Sequence, residues 1–259
     1  PQVIKKSKKI ITVSHFEKDR IGSFFHLEGN NRLTAVYNGV SNHFKPVTDT
    51  AALKIVKEKY NLPDNYFFFL GNTDPKKNTP AVLKAFSDFK KQTGSDHKLV
   101  MLDYDRKELD KLLAAIGDEK LVDSIVLTGY VINTDLPAIY CQSQAFLYPS
   151  LRESFGIPML EAMACGVPVI TSNTSSMPEV AGDAAVIINP YKPAEITEAM
   201  IRLMNNENLK QKLVAAGLKQ AAKFSWKSMA EDVLKIYTEV QQNNILKIKT
   251  HKTYRRCLR

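Results

Sequence analysis

The sequence predicts an α/β fold with a doubly wound parallel sheet. Short apolar runs rich in Val, Ile and Phe alternate along the chain with segments whose apolar residues recur at helical spacing. Alternation of strands and helices is typical of a parallel sheet covered by helices on both faces. The chain has 259 residues, of which 44% are hydrophobic, and this is enough to bury a large core.

The predicted elements follow from these runs and from the residues that bound them. We expect strands at Lys9 to Val13, Leu33 to Tyr37, Tyr66 to Leu70, Lys98 to Leu102, Ser124 to Leu127, Gln144 to Tyr148, Pro168 to Thr171 and Ala184 to Ile188. We expect helices at Asp49 to Tyr60, Thr79 to Lys91, Arg106 to Ile116, Asp135 to Cys141 and Ile157 to Cys165, and a helical pattern from Pro193 to about Gln242. Pro80 suits a first helical turn, Gly166 a helix end, and Ser225 a cap for the last helix.

The domain boundary is expected near Phe44-Lys45-Pro46. The segment before it has a strand, a helix and a strand, which are too few to close a sheet. We therefore expect residues 1–44 to be the end of a preceding domain, residues 45–242 to form the main domain with its C-terminal helices, and residues 243–259 to form a basic tail.

The net charge of +9 is concentrated at the two ends of the chain. Residues 243–259 hold six basic residues and no acid, and Lys5, Lys6, Lys8 and Lys9 cluster at the other end. The body between them is close to neutral, so we expect no nucleic-acid surface across the fold. The tail is expected to be a solvated end or to contact anionic lipid.

Composition also bears on the compartment. Three cysteines, an odd number without metal-like spacing, favour a reducing environment. The apolar runs are far shorter than the ~20 residues that cross a bilayer, and no leader pattern opens the chain. We expect a cytoplasmic protein, with peripheral contact at the inner face of the membrane through the basic tail.

Ligands of an open parallel sheet bind beyond the carboxyl ends of its strands, so the loops there are candidate sites. The loop after Tyr66 to Leu70 holds Gly71, Lys76 and Lys77 and leads into a predicted helix. Two ammonium groups beside helix amides suit a diphosphate. A turn with two solvated lysines is the alternative.

A second loop, residues 149–161, carries two acids separated by eight positions, Glu153 and Glu161. Gly156 permits close approach of a ligand, and the amides of Ile157 to Leu160 open a helix, where they can donate to an anion or to sugar hydroxyls. Carboxylates can accept hydrogen bonds from vicinal diols. Alternatively, Glu153 is a first-turn acid and Glu161 lies on a helix surface.

A third loop follows Ser124 to Leu127 and contains Gly129, Tyr130 and Val131. Gly129 permits a sharp turn whose backbone groups can contact the edge of a base. An ordinary strand-to-helix connection explains the loop equally well.

Together these segments resemble the group 1 retaining glycosyltransferases, which have two facing Rossmann-like domains. The stretch from Glu153 to Glu161 matches the two-glutamate motif of that family, and residues 161–170, EAMACGVPVI, follow its pattern almost without change. Residues 177–185, MPEVAGDAA, continue it, and Asn38-Gly39-Val40 with Phe44 and Pro46 resembles the interdomain junction. The resemblance spans nearly the whole chain.

The resemblance implies that this chain is the C-terminal half of that architecture and binds a nucleotide sugar. It implies catalytic roles for Glu153 and Lys77, with Glu153 on the transferred sugar, Glu161 on the donor ribose and Lys77 on the diphosphate. The remaining substrate-binding residues it implies are Gly71, Lys76, Gly129, Tyr130, Val131, Ser154, Phe155, Gly156, Ile157, Pro158, Met159 and Leu160. Lys76 stands where a close subgroup of the family usually has arginine, and an ammonium group cannot make the bidentate contact of a guanidinium group. Ser154 stands where the family usually has glycine.

The implied reaction moves a hexosyl unit, with retention at the anomeric carbon, to a saccharide or lipid-linked acceptor. Positive side chains and helix amides stabilise the leaving diphosphate, and no cofactor or metal is expected. Two alternatives remain: a non-catalytic nucleotide-sugar-binding module, and a sugar-nucleotide epimerase or hydrolase of the same architecture. The donor base, the donor sugar and the acceptor are not specified by the sequence.

Overall fold

A computed structural model describes residues 2–71, 73–102 and 104–256, with side chains described as far as residue 242. Its strands are β1 Ile10–Thr12, β2 Leu33–Ala35, β3 Tyr66–Phe69, β4 Lys98–Met101, β5 Ile125–Leu127, β6 Ala145–Tyr148, β7 Val169–Ser172 and β8 Val186–Ile188. Its helices are α1 Gln2–Lys6, α2 His15–Phe25, α3 Thr50–Lys59, α4 Thr79–Thr93, α5 Arg106–Ile116, α6 Leu136–Cys141, α7 Ile157–Ala164, α8 Met177–Ala181, α9 Pro193–Asn205, α10 Glu207–Ala221 and α11 Trp226–Arg256. Short 3₁₀ helices lie at Pro75–Lys77, Glu119–Ser124 and Asn133–Asp135.

The chain forms two compact units, one comprising Pro1–Gly39 with Phe224–Arg259 and the other Val40–Lys223. This division differs from the expected ranges: it falls after Gly39, and residues 224–242 group with the N-terminal segment. The last helix continues to Arg256 instead of ending near Gln242. The side chains of the expected basic tail, residues 243–259, lie outside the described residues.

The unit formed by the two chain ends contains a small sheet. Strands β1 and β2 pair in parallel, with Ile10 opposite Leu33, and α2 packs against both. Ser14 begins α2 by accepting a hydrogen bond from the amide of Glu17 at 3.1 Å. This strand–helix–strand arrangement is the one the sequence indicates for the segment before the junction.

The larger unit is the predicted doubly wound parallel sheet, with six strands in the order β5-β4-β3-β6-β7-β8. All five pairings between neighbours are parallel. The chain starts at β3, runs outward to β5, and returns to place β6 on the other side of β3. The direction of winding therefore reverses between β3 and β6.

Strands β3 and β6 are buried on both faces, which explains their continuous apolar runs. Because side chains alternate along a strand, Phe67 and Phe69 join the core under α4, α5 and α9. Phe68 faces the other side, where its ring packs on those of Tyr140 and Phe146. This central pair thus fixes the position of the loops that follow it. No helix among the described residues is long and apolar enough to cross a membrane.

Candidate functional site

The candidate site lies where the winding of the sheet reverses, because the loops after β3 and β6 lie side by side there. The two loops are joined directly by a hydrogen bond from the Leu151 amide to the Lys76 carbonyl oxygen at 2.8 Å. In an open α/β sheet this reversal point opens a crevice outside the carboxyl ends of the strands. The structure therefore brings the first two predicted loops together.

The centre of the site is an ion pair between Lys77 and Glu153. The Nζ atom of Lys77 lies 2.6 Å from Oε1 of Glu153, and each side chain is 20% exposed. The ammonium also lies 5.1 Å from the centroid of the Tyr148 ring at the end of β6. The Tyr148 hydroxyl is buried, and burial and the charge of Glu153 raise its pKa well above the ordinary value. A positive and a negative group thus share one partly shielded crevice.

The lysine loop is held by two side chains that sequence reasoning missed. Asp74 accepts a hydrogen bond from the Lys76 amide at 3.0 Å, and this bond lowers the pKa of its carboxyl group. Asn78 has a left-handed backbone (φ 63°). Its side-chain amide donates to the carbonyl oxygens of Pro149 at 3.1 Å and Pro190 at 2.8 Å. Asn78 therefore ties three strand-end loops together.

The two adjacent lysines have different environments. Lys77 lies in the crevice, whereas the Lys76 side chain is 62% exposed and pairs with Asp74 at 3.3 Å. The structure thus separates two residues that sequence spacing could not distinguish. Gly71, which opens the same loop, lies against the ring of Phe69, and an added Cβ atom would be 2.1 Å from that ring.

Glu153 is positioned by the loop after β7. Its amide donates to the hydroxyl of Ser175 and its carbonyl oxygen accepts from the hydroxyl of Ser176, both at 3.0 Å. Thr174 donates to the Leu151 carbonyl oxygen at 3.1 Å. The sequence signal for these hydrogen bonds is the run of serine and threonine residues that follows β7.

Helix α7 begins at the site with Gly156 before its first residue. Gly156 has φ 99°, and an added Cβ atom would lie 2.8 Å from Cε of Met177. No side chain caps the helix, so its first turn presents the positive end of the dipole. Pro158 has no N–H and the Met159 amide donates to the Gly156 carbonyl oxygen at 3.1 Å, so these two residues offer a ligand no free donor. Of the other predicted binding residues here, Phe155, Met159 and Leu160 are buried, Ile157 and Pro158 are partly exposed and Ser154 is exposed. The three buried side chains leave only their backbone for ligands.

Glu161 lies one turn into α7 and is partly buried. The Tyr140 hydroxyl donates to its Oε2 atom at 3.3 Å. Burial raises the pKa of Glu161 to about 7, although the Tyr140 bond and the nearby charge of His43 act in the opposite direction. An ionisable carboxyl group is therefore held close to its titration point near neutral pH.

The third predicted loop lies farther along the sheet. Gly129, Tyr130 and Val131 follow β5, which is an edge strand separated from β3 by β4. Gly129 has φ 65°, Tyr130 is 76% exposed and Val131 is buried. The loop lies at the same sheet edge but two strands from the Lys77–Glu153 pair. In the described part of the chain, no cluster of three or more His, Cys, Asp or Glu side chains could hold a metal ion.

Known proteins resemble this chain in sequence over most of its length. The family model of glycosyl transferases group 1 matches residues 53–220. The O-antigen chain mannosyltransferase B of Escherichia coli is 32% identical over 232 residues, which are 89% of this chain and 60% of that protein. The chain thus spans about 60% of the length of this relative.

Solved structures share the fold. A glycosyltransferase from Rickettsia africae ESF-5 superposes with a TM-score of 0.79 at 21% identity, covering 92% of this chain and 65% of that one. The Anabaena protein HepE, in complex with UDP and glucose, gives a TM-score of 0.76 at 15% identity, covering 91% of this chain and 64% of that one. Because the family model covers well over half of the sequence, this chain belongs to the group 1 glycosyltransferases.

Proposed function

We propose that this chain binds a nucleoside diphosphate sugar and that the whole protein transfers its hexosyl unit, a mannosyl group, to a saccharide or lipid-linked acceptor. The observation that carries the proposal is the Lys77–Glu153 pair, which lies at the reversal point of the sheet beside the uncapped start of α7. The name of the Escherichia coli relative supports mannose, and the HepE complex supports a nucleotide donor.

The chemistry follows from where the charges lie. The leaving diphosphate gains negative charge as the bond to the sugar breaks, and Lys77 and the positive end of the α7 dipole stabilise that charge. In this proposal they supply the positive charge without a metal ion or cofactor. Glu153 faces the same crevice and orients the sugar, while its negative charge stabilises positive charge at the anomeric carbon.

The other predicted contacts bind the ribose and the base of the donor. Glu161 accepts hydrogen bonds from the ribose hydroxyls, and the loop with Gly129, Tyr130 and Val131 receives the base.

Retention at the anomeric carbon belongs to the same proposal and is checked by NMR of the first product formed by the whole protein. Membrane contact through residues 243–259, at the cytoplasmic face, is also part of the proposal, and cosedimentation with anionic vesicles checks the contact.

Calorimetric titration of the chain with GDP, UDP, GDP-mannose and UDP-glucose tests the donor site. We expect one base to be preferred and Lys77→Ala to weaken binding about tenfold or more, since a charge-assisted contact is lost. Lys84→Ala is the control, because this exposed lysine of α4 pairs with Asp88 and belongs to none of the predicted site loops. Failure of the folded chain to bind any nucleotide, or unchanged affinity in Lys77→Ala, would contradict the proposal.

A further inference from the structure

Residues 132–135, which follow the loop proposed to receive the base, are anchored to the end of helix α3. The hydroxyl of Tyr60, which directly follows α3, donates to Oδ2 of Asp135 at 2.8 Å and accepts from the Ile132 amide at 3.4 Å. Nζ of Lys59 donates to the same carboxylate oxygen at 2.7 Å. The Asp135 amide donates to the Ile132 carbonyl oxygen at 3.0 Å. These residues therefore form a closed turn held by a side chain 75 positions earlier.

The contact between Tyr60 and Asp135 is shielded from water. Tyr60 is buried, and the side chain of Asp135 is 17% exposed. A second tie of the same turn joins two exposed residues, since Nε2 of His43 lies 2.9 Å from Oδ1 of Asn133. Water competes with a hydrogen bond between exposed groups, so the charge-assisted Tyr60–Asp135 bond is the stronger of the two ties.

The carboxylate of Asp135 is committed to this contact. Asp135 immediately precedes α6, a position at which aspartate commonly accepts hydrogen bonds from the first helix amides, but its side chain makes no such bond. Burial raises the pKa of Asp135, whereas the bonds from Lys59 and Tyr60 lower it, and the pKa lies below its ordinary value. Asp135 is therefore ionised at neutral pH, and both bonds are made to a charged group.

The anchored turn lies between two parts of the proposed donor site. Residues 129–131, which are proposed to receive the base, directly precede Ile132. Helix α6 directly follows Asp135, and the hydroxyl of its Tyr140 donates to the proposed ribose ligand Glu161 at 3.3 Å. The anchor on α3 thus fixes the backbone that joins the base contacts to the helix behind the ribose contact.

We propose that Tyr60 and Asp135 are positioning residues for the nucleoside end of the donor, holding residues 129–132 in the conformation that binds the base. This inference rests on the proposed function, because it requires that this loop receive the base. Without the anchor, binding must also order the loop, which lowers the affinity. Lys77 and the start of α7 lie on other loops, so the loss affects recognition of the base and not binding of the diphosphate.

Calorimetric titration of the wild type, Tyr60→Phe and Asp135→Asn with GDP, UDP and inorganic pyrophosphate tests this inference. Tyr60→Phe keeps the buried ring and removes only the hydroxyl. We expect each variant to bind the preferred nucleoside diphosphate about three- to tenfold more weakly and to lose part of its preference over the other base. The affinity for pyrophosphate, which lacks a nucleoside, should equal that of the wild type.

Asp118→Asn is the matched control. The Asp118 carboxylate accepts from the Ser87 hydroxyl and pairs with Nζ of Lys91 at 3.1 Å, and its side chain is also 17% exposed. Asp118 precedes β5, whereas residues 129–131 follow it, so the two lie at opposite ends of that strand. Urea unfolding should show comparable losses of stability in both aspartate variants, but Asp118→Asn should bind all three ligands as the wild type does.

Two outcomes would overturn this inference and leave the proposed function standing. One is unchanged affinity and unchanged base preference in both Tyr60→Phe and Asp135→Asn, while Lys77→Ala still weakens binding. The other is an equal loss of affinity for nucleotides and for pyrophosphate in these two variants. Failure of the folded wild type to bind any nucleotide would overturn both the inference and the proposed function.

Discussion

The ammonium group of Lys77 and the carboxylate of Glu153 lie 2.6 Å apart although 76 positions separate them in the chain. A diphosphate that binds Lys77 must therefore compete with Glu153 for the same ammonium group. The cost is limited, because partly exposed ion pairs contribute only about 1 kcal/mol.

Glu153→Gln should therefore bind the nucleoside diphosphate about two- to fivefold more tightly than the wild type, because Lys77 is released from its partner. The same variant should lose the preference for nucleotide sugar over nucleoside diphosphate, since the group that orients the sugar is gone. Calorimetry with both ligands measures the two effects. In a Lys77→Ala background the gain should vanish, and a gain that persists there would contradict the competition.

Asn78→Asp should destabilise the fold by about 2–3 kcal/mol, because the side chain loses both donors and places a charge against two carbonyl oxygens. Aspartate tolerates the left-handed backbone, so the change isolates the side-chain bonds. Urea unfolding followed by circular dichroism gives the difference. Asn61→Asp is the control, since Asn61 also has positive φ (51°) and is exposed. Equal losses of stability at the two positions would argue against a stabilising role of the two Asn78 side-chain hydrogen bonds.

Gly156→Ala should destabilise the protein by about 1–2 kcal/mol more than Gly94→Ala. Both residues have positive φ, 99° and 63°, but only at Gly156 would the new Cβ atom meet a side chain, that of Met177. Nucleotide affinity should fall only in Gly156→Ala, because the first turn of α7 must shift. Thermal unfolding and calorimetry of the two variants check this, and matched behaviour would contradict it.

Glu161→Gln should stabilise the fold above pH 7 by about 1–2 kcal/mol, after allowance for partial solvent exposure. The pKa of Glu161 rises from 4.5 to about 7 on folding. The unfolded chain therefore loses its proton first as the pH rises from 4.5 to 7, and the wild type loses stability over that window. The stability gained by Glu161→Gln should appear over the same window in urea unfolding. Glu198→Gln, at an exposed position of α9, is the control and should show no such trend.

His97→Phe should reduce the loss of stability in mild acid. His97 is buried, its Nε2 atom has no hydrogen-bond partner among the described residues, and burial lowers its pKa below 6.5. The unfolded chain takes up the proton first as the pH falls below 6.5, so the wild type loses stability there. Unfolding free energies between pH 5 and 7 test this. His26→Asn is the control and should lose as much unfolding free energy between pH 7 and pH 5 as the wild type. An equal loss in His97→Phe would refute the prediction.

The sequence predicted the elements well where their ends carry local signals. Arg106 to Ile116 was predicted with its observed bounds, because Asp105 caps its start and Gly117 adopts φ 68° at its end. Every strand of the described residues was located. The runs of β3 and β6 are continuously apolar because these parallel strands are buried on both faces. The break at Asn206 was missed, because the apolar pattern continues across it while its side chain caps α10.

The site was predictable in its loops but not in its contacts. Glu153 and Lys77 were identified by their positions after strands, yet the order of the strands decides that their loops are neighbours. The bond between His43 and Asn133 joins residues 90 positions apart, and the braces from Asn78 and Ser175 also depend on that order. Such contacts form between residues that are distant in the sequence, so local sequence patterns cannot predict them.

The pairing of β3 with β6 has a consequence for how the protein folds. The proposed donor crevice lies between the first and fourth strands of the larger sheet, so closing it requires a loop that includes β4, β5 and α4 to α6. Contacts of such long sequence separation form slowly, since the entropy of closing the loop must be lost before the pairing is gained. During synthesis, a chain that has not yet emerged beyond residue 156 cannot contain the start of α7. Under the proposed function, nucleotide binding therefore reports that β6 has joined β3, and a donor present in the cell can stabilise only chains that have passed that point.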